Sequence, residues 1–327
     1  MALRIKVPVK ILVLESWNFP NSSLAKLQDY GEVFFDKIEE SDRKQLLFEI
    51  EPDALFIGLG VEITKADLEK AKNLKTIITP TTGLNHIDLK ECEERNIRVL
   101  SLKGEVDFLN SITSTAEHAW LLILSLLKDF RKDIFHVESG RWNRSEINTF
   151  ELNGKTIGII GFGRLGKILR EYAKAFRMKC LIFDIDPLKA AQVSEEERSD
   201  LDHLLGSSDV ISLMASYATE NSKMIGEKEF GKMKSGVFFV NTARGELVDE
   251  NALLDSLRSG KIAGAALDVL DNDSSWNERT PANHPLIEYS KKNNDLIITS
   301  HVGGNSKEAL WKTREFVVNK FIMSLSS

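Results

Sequence analysis

Short apolar runs and longer stretches of helical period take turns along almost the whole chain. In the first third, residues 9–14, 33–35, 54–57, 76–79 and 97–100 are runs rich in Val, Ile, Leu and Phe, which read as strands. Between them, residues 22–30, 41–48, 65–72 and 88–94 bring apolar side chains round every three or four positions, which reads as helices. Ser22, Ser41 and Thr64 are expected N-caps and Thr64-x-x-Asp67 an expected capping box, because each offers a side-chain oxygen to the free N–H groups of a first turn. Alternation of this kind predicts a parallel sheet covered by helices on both faces.

A looser stretch, 101–113, leads into 115–136, a helix expected to be apolar nearly all round: Trp120, Leu121, Leu122, Ile123, Leu124, Leu126, Leu127 and Phe130 lie in it. Ser114-x-x-Glu117 is its expected capping box. One face can cover a sheet, but the others need burial too, so the 114–136 region is the expected interface of a homodimer; a helix wedged between the two domains of one chain is the alternative. Strands are expected again at 156–160, 179–183, 210–213, 237–241, 264–267 and 296–299, with helices at 167–176 and at 249–258, the latter capped by Asp249. A last helix, 306–324, carries Leu310, Trp311, Phe316, Val317 and Phe321 and is expected to pack back on the first sheet. The organisation that follows is α/β with two domains and a cleft between them: residues 1–104 plus 303–327 form one, and residues 105–302 are inserted into it as the other.

Composition narrows the classes. A chain of 327 residues suits about two domains. A formal net charge of −6 argues against the basic face that a sequence-independent hold on nucleic acid needs. Cys92 and Cys180 are the two cysteines, which suits a reducing compartment and rules out a cysteine-based metal cluster. The start lacks the apolar run of a signal peptide, and the longest apolar run, 119–127, is too short to span a bilayer. A cytoplasmic protein with no metal, membrane or nucleic-acid partner is expected.

The most specific stretch is Thr156-Ile-Gly-Ile-Ile-Gly161-Phe-Gly163-Arg164-Leu165-Gly166-Lys167. A buried strand runs into Gly161-x-Gly163-x-x-Gly166, a helix follows, and a second strand ends on Asp184. Gly161 permits the tight turn, Gly163 lets the backbone approach a pyrophosphate, and Gly166 allows helix and strand to pack closely. The helix N-terminus offers N–H groups and a positive dipole end to the phosphates. Asp184 can accept hydrogen bonds from an adenosine ribose diol and would repel a 2′-phosphate. A glycine triplet alone is weak; strand, helix, second strand and acid together predict an NAD site.

Three residues at strand carboxyl ends compose a reaction. Arg244 follows the 237–241 strand, Asp273 the 264–267 strand and His301 the 296–299 strand. Taken singly they read as a turn arginine, a loop acid and a packing histidine. Together they supply what hydride transfer from a 2-hydroxy acid needs. Arginine forks onto a carboxylate or carbonyl, histidine moves the hydroxyl proton, and an acid beside it fixes the tautomer. Gly58-Leu59-Gly60 and Thr81-Thr82-Gly83, also at strand ends, offer backbone N–H groups to a substrate carboxylate; they read equally as simple chain reversals.

At this point the chain resembles the D-isomer-specific 2-hydroxyacid dehydrogenase family over most of its length. Asn241-Thr242-Ala243-Arg244-Gly-Glu-Leu-Val-Asp249 resembles the family's arginine signature, Ala263-Gly-Ala-Ala-Leu-Asp268-Val leads to Asp273 at the acid position, and Ser300-His301-Val-Gly-Gly304 resembles the histidine signature. Gly83-Leu-Asn-His-Ile-Asp88 and Ser114-Thr115-Ala-Glu117 are similar to its substrate-domain and hinge patterns. The resemblance implies a Rossmann-type NAD-binding domain inserted into a flavodoxin-like substrate domain, usually as a homodimer. It implies a catalytic set of Arg244, Asp273 and His301. Implied cofactor contacts are Gly161, Gly163, Arg164, Leu165, Gly166, Asp184, Thr242, Ala243, Asp268 and Thr115. Implied substrate contacts are Leu59, Gly60, Thr82, Gly83, Arg244 and His301. A phosphoglycerate-like substrate is suggested by Gly303-Gly304, although no phosphate clamp shows.

Several positions depart from the family pattern. Asp273 stands where glutamate is usual and is one methylene shorter, which lengthens its contact to the histidine unless the loop moves in. Ser274 lies where the family has a proline nearby, Ser300 replaces the proline before the histidine, and Met214 and Ser216 stand where histidine and proline are common. Gly58 lies near a usual arginine, and 103–108 reads as an insertion, from which Lys103 could supply part of the missing positive charge; it reads equally as a solvated surface lysine. The second reading is an NAD(H)-sensing binding protein resembling the C-terminal-binding corepressors, which share the fold; formate or phosphite oxidation is a minor third. The expected activity is hydride transfer between NAD(H) and a small D-2-hydroxy acid or 2-keto acid.

Overall fold

The computed structural model describes residues 8–14, 19–35, 43–276 and 279–326. The chain forms two compact units: Met1–Ser111 with Ser274–Arg279 and Ser306–Ser327, and Ile112–Asp273 with Thr280–Asn305.

In the first unit β1 (Val9–Val13), β2 (Gly31–Phe35), β3 (Ala54–Phe56), β4 (Thr76–Ile78) and β5 (Arg98–Leu100) make a parallel sheet in the order β2-β1-β3-β4-β5. Side chains alternate between its faces. Leu12, Leu55 and Ile77 enter one core with Leu47, Leu68 and Cys92 from the covering helices. Ile11, Val13, Phe56 and Ile78 enter the other with Val317, Val318 and Phe321 of the Lys307–Ser326 helix. Phe56 meets Phe19 and Phe321 edge-on, with ring centroids 5.7 and 5.5 Å apart. Burying one such ring stabilises the unit by roughly 1.5–3 kcal/mol. Central strands buried on both sides favour apolar residues, hence the runs Ile11–Val13 and Ala54–Phe56.

The second unit holds β6 (Thr156–Ile160), β7 (Lys179–Phe183), β8 (Val210–Leu213), β9 (Val237–Asn241), β10 (Ile262–Leu267) and β11 (Leu296–Ile298), again all parallel, in the order β11-β10-β9-β8-β6-β7. From β6 the chain first builds outward to β7, then returns to β8 on the other side of β6. Strand order therefore reverses at β6/β8, the place where open α/β sheets open a crevice at their carboxyl ends. Gly161 follows β6 there. The α/β class, the parallel sheets and the Rossmann-type order agree with the pattern in the sequence.

Several local expectations give way. The 115–136 helix is two helices, Ser114–Leu127 and Phe130–Glu138, broken where Asp129 takes a left-handed φ of 48°. The Ser114 capping box does not form: Thr113 is the N-cap, its hydroxyl donates to Glu117 Oε1 at 2.6 Å, and Ser114 Oγ donates instead to Gly303 O. The helix after the glycines starts at Arg164, not Lys167, so Gly166 lies inside its first turn. Ser22 sits within a helix, Asn21–Gln28, whose N-cap is Pro20. Ser41 lies outside the described residues, whereas the Thr64–Asp67 capping box forms. The loose stretch after residue 101 contains a short helix, Val106–Leu109, and Trp311 is exposed rather than packed.

Candidate active site

The glycine turn is built as a cradle. Gly161 has φ +100°, and a Cβ there would lie 2.6 Å from the Ala215 nitrogen beyond β8. On Gly166 a Cβ would lie 2.3 Å from Gly161 O, so helix and turn touch because neither residue carries a side chain. Gly163 faces open space and caps the Arg164–Ala175 helix with no side chain of its own, leaving the first-turn N–H groups for a ligand. These residues fit a dinucleotide pyrophosphate.

Asp184 ends β7 beside this turn. Its Oδ2 accepts the Phe162 N–H at 2.7 Å and its Oδ1 the Asp186 N–H at 2.9 Å. The carboxylate is thereby pinned to the cradle, half-buried, with lone pairs left over. Arg164 turns its guanidinium back onto Ile112 O, and burial pushes that guanidinium below its usual value. Leu165 is half-buried against the core of the unit.

Arg244, Asp273 and His301 lie on the segments that follow β9, β10 and β11. Beyond β9, the buried Asn241 side chain accepts the Ala243 N–H at 2.9 Å and donates to Arg244 O at 2.9 Å, closing the turn that presents Arg244. Arg244 Nη1 rests on Ala243 O at 2.7 Å. Thr242 is buried with its hydroxyl toward Met214 Sδ. Gly245 follows, and a Cβ there would fall 1.9 Å from the Leu270 carbonyl carbon and 2.3 Å from the Asp271 nitrogen. Only glycine lets the Arg244 turn lie directly on the loop that carries Asp273.

Asp273 opens a short 3-10 turn, and His301 Nδ1 lies 3.0 Å from its Oδ2. The shorter acid therefore keeps full hydrogen-bond contact. With Nδ1 turned to the carboxylate, Nε2 is the ring nitrogen left over. His301 holds a left-handed φ of 54°, costly for a residue with a Cβ, and its N–H is anchored on Asp268 O at 2.8 Å.

Asp268, 2% exposed, organises the segment that follows. Its Oδ1 accepts from Thr299 Oγ1 at 2.6 Å and the Val302 N–H at 3.0 Å, and its Oδ2 accepts the Gly303 N–H at 2.8 Å. His118 Nε2 lies 3.2 Å from Oδ1. Burial pushes this carboxyl up, but His118, Thr299 and the Gly303 amide outweigh it and hold it below its ordinary value. A Cβ on Gly303 would lie 2.9 Å from Asp268 Oδ2 and 3.3 Å from Thr115 Cγ2, which places Thr115 in the same cluster.

The remaining expected residues belong to the first unit. Leu59 and Gly60 follow β3, half-buried; Thr82 and Gly83 follow β4, where Thr81 Oγ1 donates to Gly83 O at 2.8 Å and fixes the turn. Lys103, after β5, is exposed. His118, Thr299, Glu250 and His284 carry no signal of their own in the sequence, and Asn241 stands there only within the arginine signature; His118 lies one helical turn from Thr115.

A family model described as D-isomer specific 2-hydroxyacid dehydrogenase, NAD binding domain, matches residues 120–303. The glyoxylate reductase of Thermococcus litoralis is 32% identical over 315 residues, covering 93% of this chain and 90% of that protein. The D-3-phosphoglycerate dehydrogenase of Archaeoglobus fulgidus is 34% identical over 82% of this chain, although the chain spans only 48% of that protein's length. Among solved structures, a D-lactate dehydrogenase from Aquifex aeolicus complexed with NAD and lactic acid matches with a TM-score of 0.76 and 29% identity, over 97% of this chain and 95% of the other. The chain belongs to the D-isomer specific 2-hydroxyacid dehydrogenase family, NAD-dependent oxidoreductases that act on the CH–OH group of 2-hydroxy acids.

Proposed function

We propose that this protein reduces a small 2-keto acid such as glyoxylate or hydroxypyruvate with NADH, or runs the reverse oxidation, with Arg244, Asp273 and His301 as its catalytic set. The observation that carries this is the 3.0 Å contact between His301 Nδ1 and Asp273 Oδ2, on a loop packed directly against the Arg244 turn. Relatives named glyoxylate reductase and hydroxypyruvate reductase, each matched over about nine-tenths of both chains, support this substrate size.

NADH bound at the glycine turn would supply the hydride for reduction, and NAD⁺ would accept it in oxidation. His301 gives a proton from Nε2 to the nascent alkoxide in reduction and receives it in oxidation, while Asp273 holds the imidazole by its other nitrogen. Arg244 forks onto the substrate carboxylate and polarises the carbonyl. Leu59, Gly60, Thr82, Gly83 and Lys103 are the substrate contacts proposed for the first unit, the first four through their strand-end turns and Lys103 through its positive charge. Gly161, Gly163, Arg164, Leu165, Gly166, Asp184, Thr242, Ala243, Asp268 and Thr115 would hold the dinucleotide. The protein works as a homodimer in a reducing, cytoplasmic setting; the latter is supported by two buried free thiols, Cys92 and Cys180, each pushed by burial to about 11.

The test follows NADH absorbance against glyoxylate, hydroxypyruvate, pyruvate, branched 2-keto acids and phosphohydroxypyruvate. Turnover is expected on at least one. His301→Ala should lower kcat by about two to four decades with NADH binding retained. Full activity in that variant removes histidine from the mechanism, and tight NADH binding without turnover on any acid favours a sensor.

A further inference from the structure

Glu250 and His284 form a further carboxylate–imidazole pair in the same unit, and no step above uses it. Glu250 is the first residue of the Glu250–Arg258 helix, beside its N-cap Asp249. Its Oε1 accepts the Asp271 N–H at 2.7 Å, and its Oε2 lies 3.2 Å from His284 Nε2. The two side chains are 19% and 12% exposed, so water competes little for either contact.

Asp271 belongs to the loop that presents the catalytic acid. Contacts inside that loop include Asp273 N–H to Leu270 O at 3.2 Å and Leu270 N–H to Asp273 Oδ2 at 3.3 Å. They close the turn, with Asn272 at a left-handed φ of 61°. Two contacts from outside also hold it. On one side the loop rests on Gly245, with no room for a Cβ; on the other, a charge-assisted bond ties the Asp271 amide to Glu250. Gly245 and Glu250 lie five residues apart on the segment that presents Arg244.

We propose that Glu250, steadied by His284, is a positioning residue for the Asp273–His301 pair: it grips the loop by the Asp271 amide and holds the short acid forward within reach of the imidazole. The proposal rests on the dehydrogenase reading above. The groups that face Glu250 are Asp271 and Asp273 from the loop after β10 and His284 from the segment before the Pro285–Ser290 helix, with Asp249 next to it in sequence and Lys223 3.8 Å from Asp249. Burial pushes the Glu250 carboxyl up, the Asp271 amide and His284 pull it down, and the charges of Asp271 and Asp273 push it up again, leaving it above its ordinary value. When ionised, it adds negative charge beside the acid–imidazole pair.

Three substitutions separate reach from charge. Glu250→Asp keeps the charge and shortens the arm; it should speed hydrogen exchange of the Asp271 amide and lower kcat by about ten- to a hundredfold, the scale of a misplaced catalytic group. Asp273→Glu added to that variant should restore most of the loss, because the longer acid no longer needs the loop held forward. Glu250→Gln removes the charge; the alkaline limb of kcat for keto-acid reduction should move to lower pH, while Glu250→Asp leaves that limb in place. Wild-type kcat and pH profile in both Glu250 variants would overturn the proposal. So would a loss that Asp273→Glu does not restore while Asp271 exchange stays slow. If the unsubstituted protein turns over no 2-keto acid, the dehydrogenase reading fails instead, and Asp271 exchange in Glu250→Asp still decides whether Glu250 grips the loop.

Discussion

Asp184 and Asp268 show how much one buried or half-buried carboxylate can settle. Asp184 is fixed by two backbone amides at the end of β7 and keeps lone pairs for ribose hydroxyls. Asp184→Ala should weaken NADH and narrow the preference over NADPH; an unchanged ratio of the two KM values would refute the ribose role. Asp268 and Asp209 make a prediction about acid. Burial pushes the Asp209 carboxyl up, but Lys234 at 2.5 Å and the Thr156 amide at 2.8 Å bring it below its ordinary value. Both carboxyls are depressed in the fold. Their stabilisation is therefore present above the unfolded carboxylate value, about 3.9, and is lost as pH falls through the folded values. The urea midpoint should stay level from neutral pH down to about 5 and then fall, and Asp209→Asn should flatten that fall. A midpoint that does not change in acid would contradict the sign.

Elements meet where side chains are missing. The Arg244 turn and the Asp273 loop touch only because Gly245 has no Cβ, and the atoms it would strike are backbone, which cannot swing aside. Gly245→Ala should destabilise the second unit by about 1–3 kcal/mol, the usual cost of overpacking. It should also lower kcat with little change in NADH affinity. Wild-type activity at wild-type stability would mean that the loop moves freely. The break at Asp129 belongs to this scale as well: two helices, Ser114–Leu127 and Phe130–Glu138, replace a single apolar rod. The first buries Ala119, Leu122, Ile123, Leu126 and Leu127 in the core of the second unit. The second leaves Phe130, Ile134, Phe135 and Val137 exposed.

Those exposed side chains, with Leu121 and Trp142 (90% exposed), set the expectation for the whole molecule. A contiguous stretch of chain that leaves this much apolar surface uncovered is the mark of an interface. The protein should sediment as a dimer, and Phe135→Glu should shift it toward monomer at micromolar concentration. A monomeric unsubstituted protein would assign this surface to another partner. Among the described residues no helix is long and apolar enough to cross a membrane.

The order of strands and helices was legible in the sequence because a strand covered on both faces is largely apolar, so β6 appears with its full bounds in the letters alone. Gly161, Gly163, Gly166 and Asp184 were legible for a like reason: a backbone that must turn tightly and approach a helix end tolerates few residues. The Arg244, Asp273 and His301 positions followed from strand ends and from family resemblance. What only the tertiary structure decided is where side chains spend their hydrogen bonds. Ser114 turned from its own helix to Gly303 O, Asp273 reached His301 despite its length, and Asp268 gathered His118, Thr299 and Gly303 from distant segments. Glu250 and His284 met across the fold in the same way. Local propensity records what a residue prefers beside its neighbours. Which donor faces a buried carboxylate depends on how loops far apart in the chain are brought together, and that is fixed only when the sheet and its covering helices have packed.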